Sequence, residues 1–182
     1  MSSMIRRSLV ALLLVGCTAG PTTPADQSPD PTHSTVDEGR FQLTFVVART
    51  TLRPGDAIDG VATLRLLQPG PGALSGSGTG VLAFSFHEVG GAGRAVEPVF
   101  RADCVPHRIG VGQPITSTIV KSGAVSGSEP DAAFKRSFLD DPLVHLPIGT
   151  WDITAQAGFV DGANCEGQGH SIRAAVRVLV TE

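Results

Sequence analysis

The chain has 182 residues with 17 acidic and 14 basic side chains, which gives a formal net charge of −3 at neutral pH. With this mild negative charge, the protein is not attracted to nucleic acid or anionic lipid by its overall charge. The composition includes 22 Gly, 13 Pro and no Tyr, and we find no capped apolar run at helical spacing, so short strands joined by many turns are expected. Residues 40–182 are enough for one domain with one core.

The first residues have the layout of an export signal. Arg6 and Arg7 precede an apolar run at residues 9–15, which is too short to cross a bilayer as a helix because that takes about 20 residues. The small residue Gly16 follows the run. A basic start, an apolar centre and a small residue at the cut predict a signal peptide over residues 1–16.

Leu14-Val15-Gly16-Cys17 resembles the lipobox of bacterial lipoproteins. The resemblance implies that the precursor is cut before Cys17 and that fatty acyl chains such as palmitate are attached to this residue. Each buried methylene contributes about 0.8 kcal/mol, so two or more chains hold a protein firmly on a membrane. The implied location is the extracytoplasmic face of the cell membrane, at the cell surface or in the periplasm. An ordinary signal peptide that is cut elsewhere is the alternative.

Residues 17–39 are rich in Thr, Pro and Ser and contain few apolar side chains. Such a stretch buries too little surface to offset the entropy of ordering it, so we predict a disordered tether that ends before a domain at residues 40–182. Removal of residues 1–16 takes away two arginines and no acid, which changes the formal charge from −3 to −5.

Apolar and polar residues alternate repeatedly along the domain, a pattern that predicts half-buried strands. We predict strands at residues 41–48, 58–67, 81–89, 96–103, 115–121, 133–139, 151–159 and 172–180. The last two have the clearest alternation and are joined by a Gly-rich loop, so they should form a hairpin. Seven to eight strands with turns at short intervals predict an all-β, antiparallel sandwich.

Residues 146–155 resemble the loop and penultimate strand of bacterial immunoglobulin-like and fibronectin-type modules, with a Pro/Gly turn followed by Thr, an aromatic residue and alternating β-formers. The resemblance implies an immunoglobulin-like β-sandwich. Trp151 stands where those modules often have Tyr. Its register with Ile153 and Phe159 predicts a core side chain rather than a solvent-facing platform for sugars.

Cys104 and Cys165 are the cysteines that remain once Cys17 is acylated. An even pair in an exported chain predicts a disulfide, and closing a loop of about sixty residues contributes roughly 4 kcal/mol. The alternative is a zinc or copper site, because Cys104, His107, Cys165 and His170 supply thiolates and imidazoles near the spacings of tetrahedral sites.

The remaining polar motifs favour structural interpretations. His87 and His145 are predicted to be surface histidines, and the adjacent Asp140 and Asp141 are predicted to initiate a turn before a proline. Residues 76–80 are rich in Gly but lack the ending of a phosphate-binding loop, so a flexible loop is expected. We find no nucleophile elbow or catalytic triad and expect neither catalysis nor a cofactor.

The leading hypothesis is a non-enzymatic lipoprotein that is held on the membrane by lipid on Cys17. Its domain would bind or scaffold an envelope protein or a glycan, but not nucleic acid, through loops at residues 68–80, 107–114 and 122–131. One alternative is a metal-handling lipoprotein that uses the Cys and His residues above. Another is an enzyme or a protease inhibitor whose site residues the sequence does not identify.

Overall fold

A computed structural model describes residues 32–70 and 73–182. In chain order its elements are β1 (His33–Glu38), β2 (Phe41–Val47), β3 (Thr51–Leu52), β4 (Gly60–Leu66), β5 (Ala73–Gly76), β6 (Leu82–Glu88), β7 (Ala95–Val96), β8 (Val105–Arg108), β9 (Ile115–Thr118), α1 (Ala132–Asp140), β10 (Gly149–Asp161) and β11 (Gln168–Val180).

The strands form two sheets that pack face to face. The first sheet has four antiparallel strands in the order β1-β2-β4-β9. The second has seven, with β10 at its centre between β11 and the successive strands β5 and β6, and with β3, β7 and β8 outside these. Every pairing is antiparallel except that of β3 with β11. The predicted antiparallel sandwich is confirmed. The described residues form eleven strands instead of the predicted seven or eight, and five of the eleven have only two to four residues.

Alternation along the strands sends every second side chain into the space between the sheets. Phe45 of the first sheet meets Phe84 of the second with ring centroids 5.7 Å apart, and Phe41 meets Phe159 at 4.8 Å. Trp151 is fully buried, which confirms its predicted core position. Six of the eight predicted strands, including both strands of the C-terminal hairpin, are present with changed ends, and the strand predicted at residues 115–121 ends at Thr118.

The helix α1 stands where a strand is predicted at residues 133–139, and that prediction is wrong. Phe134 and Phe138 lie four residues apart, so they share one helical face. The Phe134 ring packs 5.8 Å from Trp151, and the Phe138 ring packs 5.0 Å from Phe86. Burial of this apolar face against the second sheet stabilises the helix beyond its local preference.

The end of α1 follows from the proline after it. Asp141 has φ −66° and ψ 131°, the extended conformation that a residue before Pro142 prefers. Its carboxylate accepts a 2.8 Å hydrogen bond from the main-chain N–H of Leu143, so this acid initiates a turn as predicted. The other oxygen lies 2.7 Å from Nδ1 of His145, and this hydrogen bond lowers the pKa of Asp141.

Three further segments differ from the prediction. Residues 33–38 form β1, so the predicted tether is wrong where it covers them, because Val36 packs against the core while Ser34 and Thr35 pair with β2. The predicted loop at residues 68–80 contains β5. The predicted strand at residues 96–103 is reduced to the two-residue β7.

Arg94 joins α1 to the end of the seven-stranded sheet. Its guanidinium donates to both carboxylate oxygens of Glu88 at 2.7 and 3.0 Å and lies over the rings of Phe134 and Trp151, at 5.2 and 5.3 Å from their centroids. The Glu88 side chain is 5% exposed. The hydrogen bond from Arg94 holds the pKa of Glu88 below its usual value and raises the pKa of Arg94 itself.

Lys121 closes the C-terminal end of α1. Its ammonium donates to the main-chain oxygens of Phe138 and Asp141 and, at 2.7 Å, to that of Leu143. The last carbonyls of a helix have no partner inside the helix, and a cation at this end also complements the helix dipole.

Candidate functional site

A groove of about 370 Å³ lies on the outer face of the seven-stranded sheet. Its floor comes from β6, β10 and β11, whose outward residues are aligned in cross-strand rows. The lining residues are Ser85, His87, Glu97, Asp152, Thr154, Gln156, Arg173 and Ala175. Hydroxyl, amide, carboxylate, imidazole and guanidinium groups therefore meet on one rigid surface. We call this site the outer-face groove.

Most charged groups of the outer-face groove are already paired. Asp152 accepts hydrogen bonds from Arg177 at 2.7 and 2.9 Å, and this contact raises the pKa of Arg177. Nε2 of His87 lies 2.6 Å from a carboxylate oxygen of Glu97. Arg173 differs, because it is exposed and has no hydrogen-bond or carboxylate partner within residues 32–70 and 73–182.

The neutral groups of the floor are partly used. The side-chain amide of Gln156 donates a 3.1 Å hydrogen bond to the hydroxyl of Ser85, which is buried on the outer face. Thr154 is the direct cross-strand neighbour of Ser85, and its hydroxyl makes no hydrogen bond to any described residue. A ligand in the groove therefore meets one unused hydroxyl and the carbonyl end of an oriented amide.

Residues 97–104, here called the strap, follow β7, and their first residue, Glu97, lines the groove. The main-chain N–H of Arg101 donates to the hydroxyl of Ser77 at 2.9 Å, and Asp103 accepts a 2.8 Å hydrogen bond from the main-chain N–H of Gly78. These bonds attach the strap to the turn between β5 and β6. The strap therefore has fixed contacts although it has almost no regular secondary structure.

Phe100 lies in the middle of the strap. The tip of its ring is 3.6 Å from the position that a Cβ on Gly158 would occupy. Gly158 is the next outward residue of β10 after Gln156, so the ring stands on the sheet beyond one end of the groove. The side chain is 37% exposed, which leaves part of an aromatic surface open beside the polar floor.

Cys104 and Cys165 lie at disulfide distance, in agreement with their predicted pairing. Their sulfur atoms are 2.05 Å apart and their Cα atoms are 6.0 Å apart. The bond joins the end of the strap to the loop between β10 and β11, where Asn164 and Cys165 both have positive φ. This cross-link therefore fixes the end of the strap relative to the hairpin of β10 and β11.

The alternative metal site is not assembled. His107 Nε2 lies 3.0 Å from the main-chain oxygen of Ser77, and Nδ1 of the buried His170 lies 2.7 Å from a carboxylate oxygen of Glu38. Across residues 32–70 and 73–182, no three His, Cys, Asp or Glu side chains are grouped so that they could hold a metal ion. The two sulfurs of the proposed ligand set are bonded to each other.

Two predictions concern residues that lie outside the described part of the chain. These are the signal peptide at residues 1–16 and lipid attachment at Cys17; the predicted tether lies outside the described residues up to position 31. Within the described residues, no helix is long and apolar enough to cross a membrane.

Sequence reasoning predicted which strand residues face outward but did not identify the groove. The alternation in β6, β10 and β11 predicts outward positions for Asp152, Thr154, Gln156 and Arg173, whereas nothing in the strap's composition indicates that Glu97 or Phe100 returns to that face. The lining residues come from strands and the strap, and the three loops predicted as binding elements contribute none of them. Comparisons of the chain with family models, with curated proteins and with solved structures find no match.

Proposed function

We propose that the protein is a lipid-anchored extracytoplasmic lipoprotein whose β-sandwich binds an envelope partner through the outer-face groove without catalysing a reaction. The anchoring part rests on the lipobox resemblance at residues 14–17. The binding part rests on one observation, the convergence of an oriented amide with an arginine and a hydroxyl that have no side-chain partner among the described residues, in a groove of about 370 Å³. That volume lies within the range of small-molecule sites.

The rigidity of the floor supports a binding role. The lining side chains stand on three hydrogen-bonded strands, two of which are 13 residues long. Sites built on strands hold their groups in place before the ligand arrives, so less entropy is lost on binding. The disulfide between Cys104 and Cys165 adds the same restriction to the strap.

The contacts of the hydroxyls do not favour catalysis. The Ser85 hydroxyl accepts a hydrogen bond from the side-chain amide of Gln156. An amide is not a base and cannot take the proton from this hydroxyl. The imidazole of His87 is paired with Glu97 rather than with a hydroxyl. A serine without an adjacent base is a weak nucleophile, so the groove is better suited to hold a ligand than to attack it.

Blocking the groove tests the proposed binding. Ala175 is exposed in the middle of the floor, so Ala175→Trp fills the groove without changing the core. Thr116→Trp, on the exposed outer face of the other sheet, is the matched control. Binding to immobilised envelope material from the native host, separated into protein and glycan fractions, should fall at least tenfold for Ala175→Trp only. Equal binding by the two variants would contradict the proposal.

Anchoring is tested on the same chain. Mass spectrometry of the protein from its native host should find a mature N-terminus at Cys17 carrying acyl chains. Cys17→Ser should move the protein from the membrane fraction to the soluble extracytoplasmic fraction. A mature protein that starts elsewhere, or a Cys17→Ser variant that stays with the membrane, would contradict the anchoring part alone.

A further inference from the structure

We propose that the outer-face groove recognises a saccharide that carries a carboxylate group, of the hexuronic acid type. This inference rests on the proposed binding function and names the chemical class of its ligand. The carboxylate would pair with Arg173, and the sugar hydroxyls would bond to Thr154 and Gln156. Phe100 would supply an apolar contact at the end of the ring.

The charge arrangement selects a single anionic group. Arg173 is the arginine of the groove that lacks a carboxylate partner in the described part of the chain, while Asp152 and Glu97 are occupied by Arg177 and His87. A guanidinium binds a carboxylate through two parallel hydrogen bonds. A phosphate or a polyanion would also meet the negative charges of Asp152 and Glu97, so one carboxylate fits this groove better than a more highly charged group.

The neutral part of the groove suits hydroxyl groups. The Thr154 hydroxyl and the side-chain oxygen of Gln156 present a donor and acceptors on neighbouring positions of β10. Sugar hydroxyls both donate and accept hydrogen bonds, and the fixed amide of Gln156 gives that contact a direction. A purely apolar ligand would leave these groups without water or a partner, which is unfavourable.

The position of Phe100 adds a third contact. Gly158 pairs with Ser171, and Arg173 is therefore its diagonal neighbour across the strands, at about 7–8 Å between Cα atoms. Because the Phe100 ring stands on Gly158, the ring and the Cα atom of Arg173 occupy neighbouring positions on the same face of the sheet. A peptide that adds a strand would use a sheet edge rather than this face, so the geometry favours the saccharide over a peptide.

The test uses the folded, mature chain and short oligomers of a hexuronic acid. Their carboxyl-reduced counterparts, which differ only in the lost carboxylate, are the matched ligands, and binding is measured by titration calorimetry. We expect at least tenfold weaker binding of the reduced oligomer and of Arg173→Gln with the acidic oligomer. Arg65→Gln, an exposed arginine on the outer face of the other sheet, should bind like the unchanged protein.

Two further arms separate the contacts. Phe100→Leu should weaken binding of the acidic and reduced oligomers by the same factor, since the ring does not contact the carboxylate. A peptide with a free C-terminus and its amidated form test the other source of a carboxylate, and preference for the free peptide over the uronic oligomer would overturn the inference. Equal binding of acidic and reduced oligomers would also overturn it.

Failure of this inference differs from failure of the proposed function. If Ala175→Trp abolishes binding to envelope material but no uronic oligomer binds, the groove is a binding site for a different ligand and only the inference is wrong. If Ala175→Trp leaves envelope binding unchanged and no oligomer binds, both are wrong. Circular dichroism and thermal unfolding of each variant show whether a loss of binding reflects a loss of fold.

Discussion

Glu88 and Arg94 form an ion pair at the end of the sandwich that carries α1. Glu88 is nearly buried, and it stays ionised because Arg94 donates two hydrogen bonds to it. The same guanidinium covers the rings of Phe134 and Trp151. Arg94 therefore stabilises this end of the sandwich through packing as well as through its charge.

Glu88→Gln should lower the free energy of unfolding at pH 7 by about 1.5–3 kcal/mol, the range for hydrogen bonds to charged groups. The folded pKa of Glu88 lies below its ordinary value of 4.5, so its contribution is complete above that pH. The contribution is lost as the pH falls through the folded pKa. Urea unfolding of both proteins between pH 7 and pH 2 should show the difference shrinking below about pH 4.

A second arginine provides the control for this pair. Arg49 lies 3.5 Å from Asp56 and is 60% exposed, so Arg49→Gln should cost less than about 1 kcal/mol at any pH. A loss for Glu88→Gln no larger than that of Arg49→Gln would contradict the role assigned to the buried pair.

At the scale of elements, α1 depends on contacts from outside the helix. Its N-cap Asp131 makes no side-chain capping hydrogen bond, and its last turn contains no basic residue. The ammonium of Lys121, from the segment after β9, takes the place of such a residue at the C-terminal end. The helix is therefore stabilised by the sheets more than by its own sequence.

Lys121→Met should destabilise α1 selectively, because three main-chain oxygens lose their donor and the Phe138 ring loses the cation that lies 4.9 Å from its centroid. We expect a loss of about 1–3 kcal/mol, the cost of leaving such groups without partners. Hydrogen exchange should be faster at the amides of residues 135–141 than in the unchanged protein and unaltered in β10 and β11. Uniformly faster exchange across the sheets would contradict a local role.

The long strands were predictable because their alternation extends over enough residues to define a face. In β10 and β11 the inward residues from Trp151 to Phe159 and from Ile172 to Val180 are apolar and most of their neighbours are polar or small, so the hairpin and the outward positions of the groove floor follow from the pattern. The helix could not be predicted in this way, since Phe134 and Phe138 fit either period over so few positions. Its partners Trp151 and Phe86 are distant in sequence.

The strap was equally hidden from sequence reasoning. Glu97 lines the groove and Phe100 lies beyond its end, and the strap that carries them is held by contacts of Arg101, Asp103 and Cys104 with residues 24 to 61 positions away in the sequence. No local spacing encodes those attachments. The number of cysteines alone predicts the pairing of Cys104 with Cys165. It does not predict that this bond holds the strap.

At the scale of the whole molecule, the cross-link between Cys104 and Cys165 closes a loop with a sequence separation of 61 residues. Restricting the unfolded chain by that loop corresponds to about 4 kcal/mol. The double variant Cys104→Ala/Cys165→Ala should lose a free energy of unfolding of this order in urea titrations. Its affinity for the ligand of the groove should also fall, because the strap is released.

Reduction of the unchanged protein gives an independent comparison. Treatment with a thiol reductant should lower stability and groove binding to the levels of the double variant. Retention of full binding by the double variant, with its fold intact, would mean that the strap is held by Arg101 and Asp103 without the cross-link.

The first and last residues of β1 lie at opposite ends of the sandwich. The main-chain oxygen of Thr32 and the first residue of β1 lie beside Val46 and Val47, whereas Glu38, at the other end of the strand, meets His170. The chain therefore enters at the pole that carries α1. A tether from Cys17 would therefore join the domain at the pole that carries α1, opposite the pole with the Cys104–Cys165 bridge.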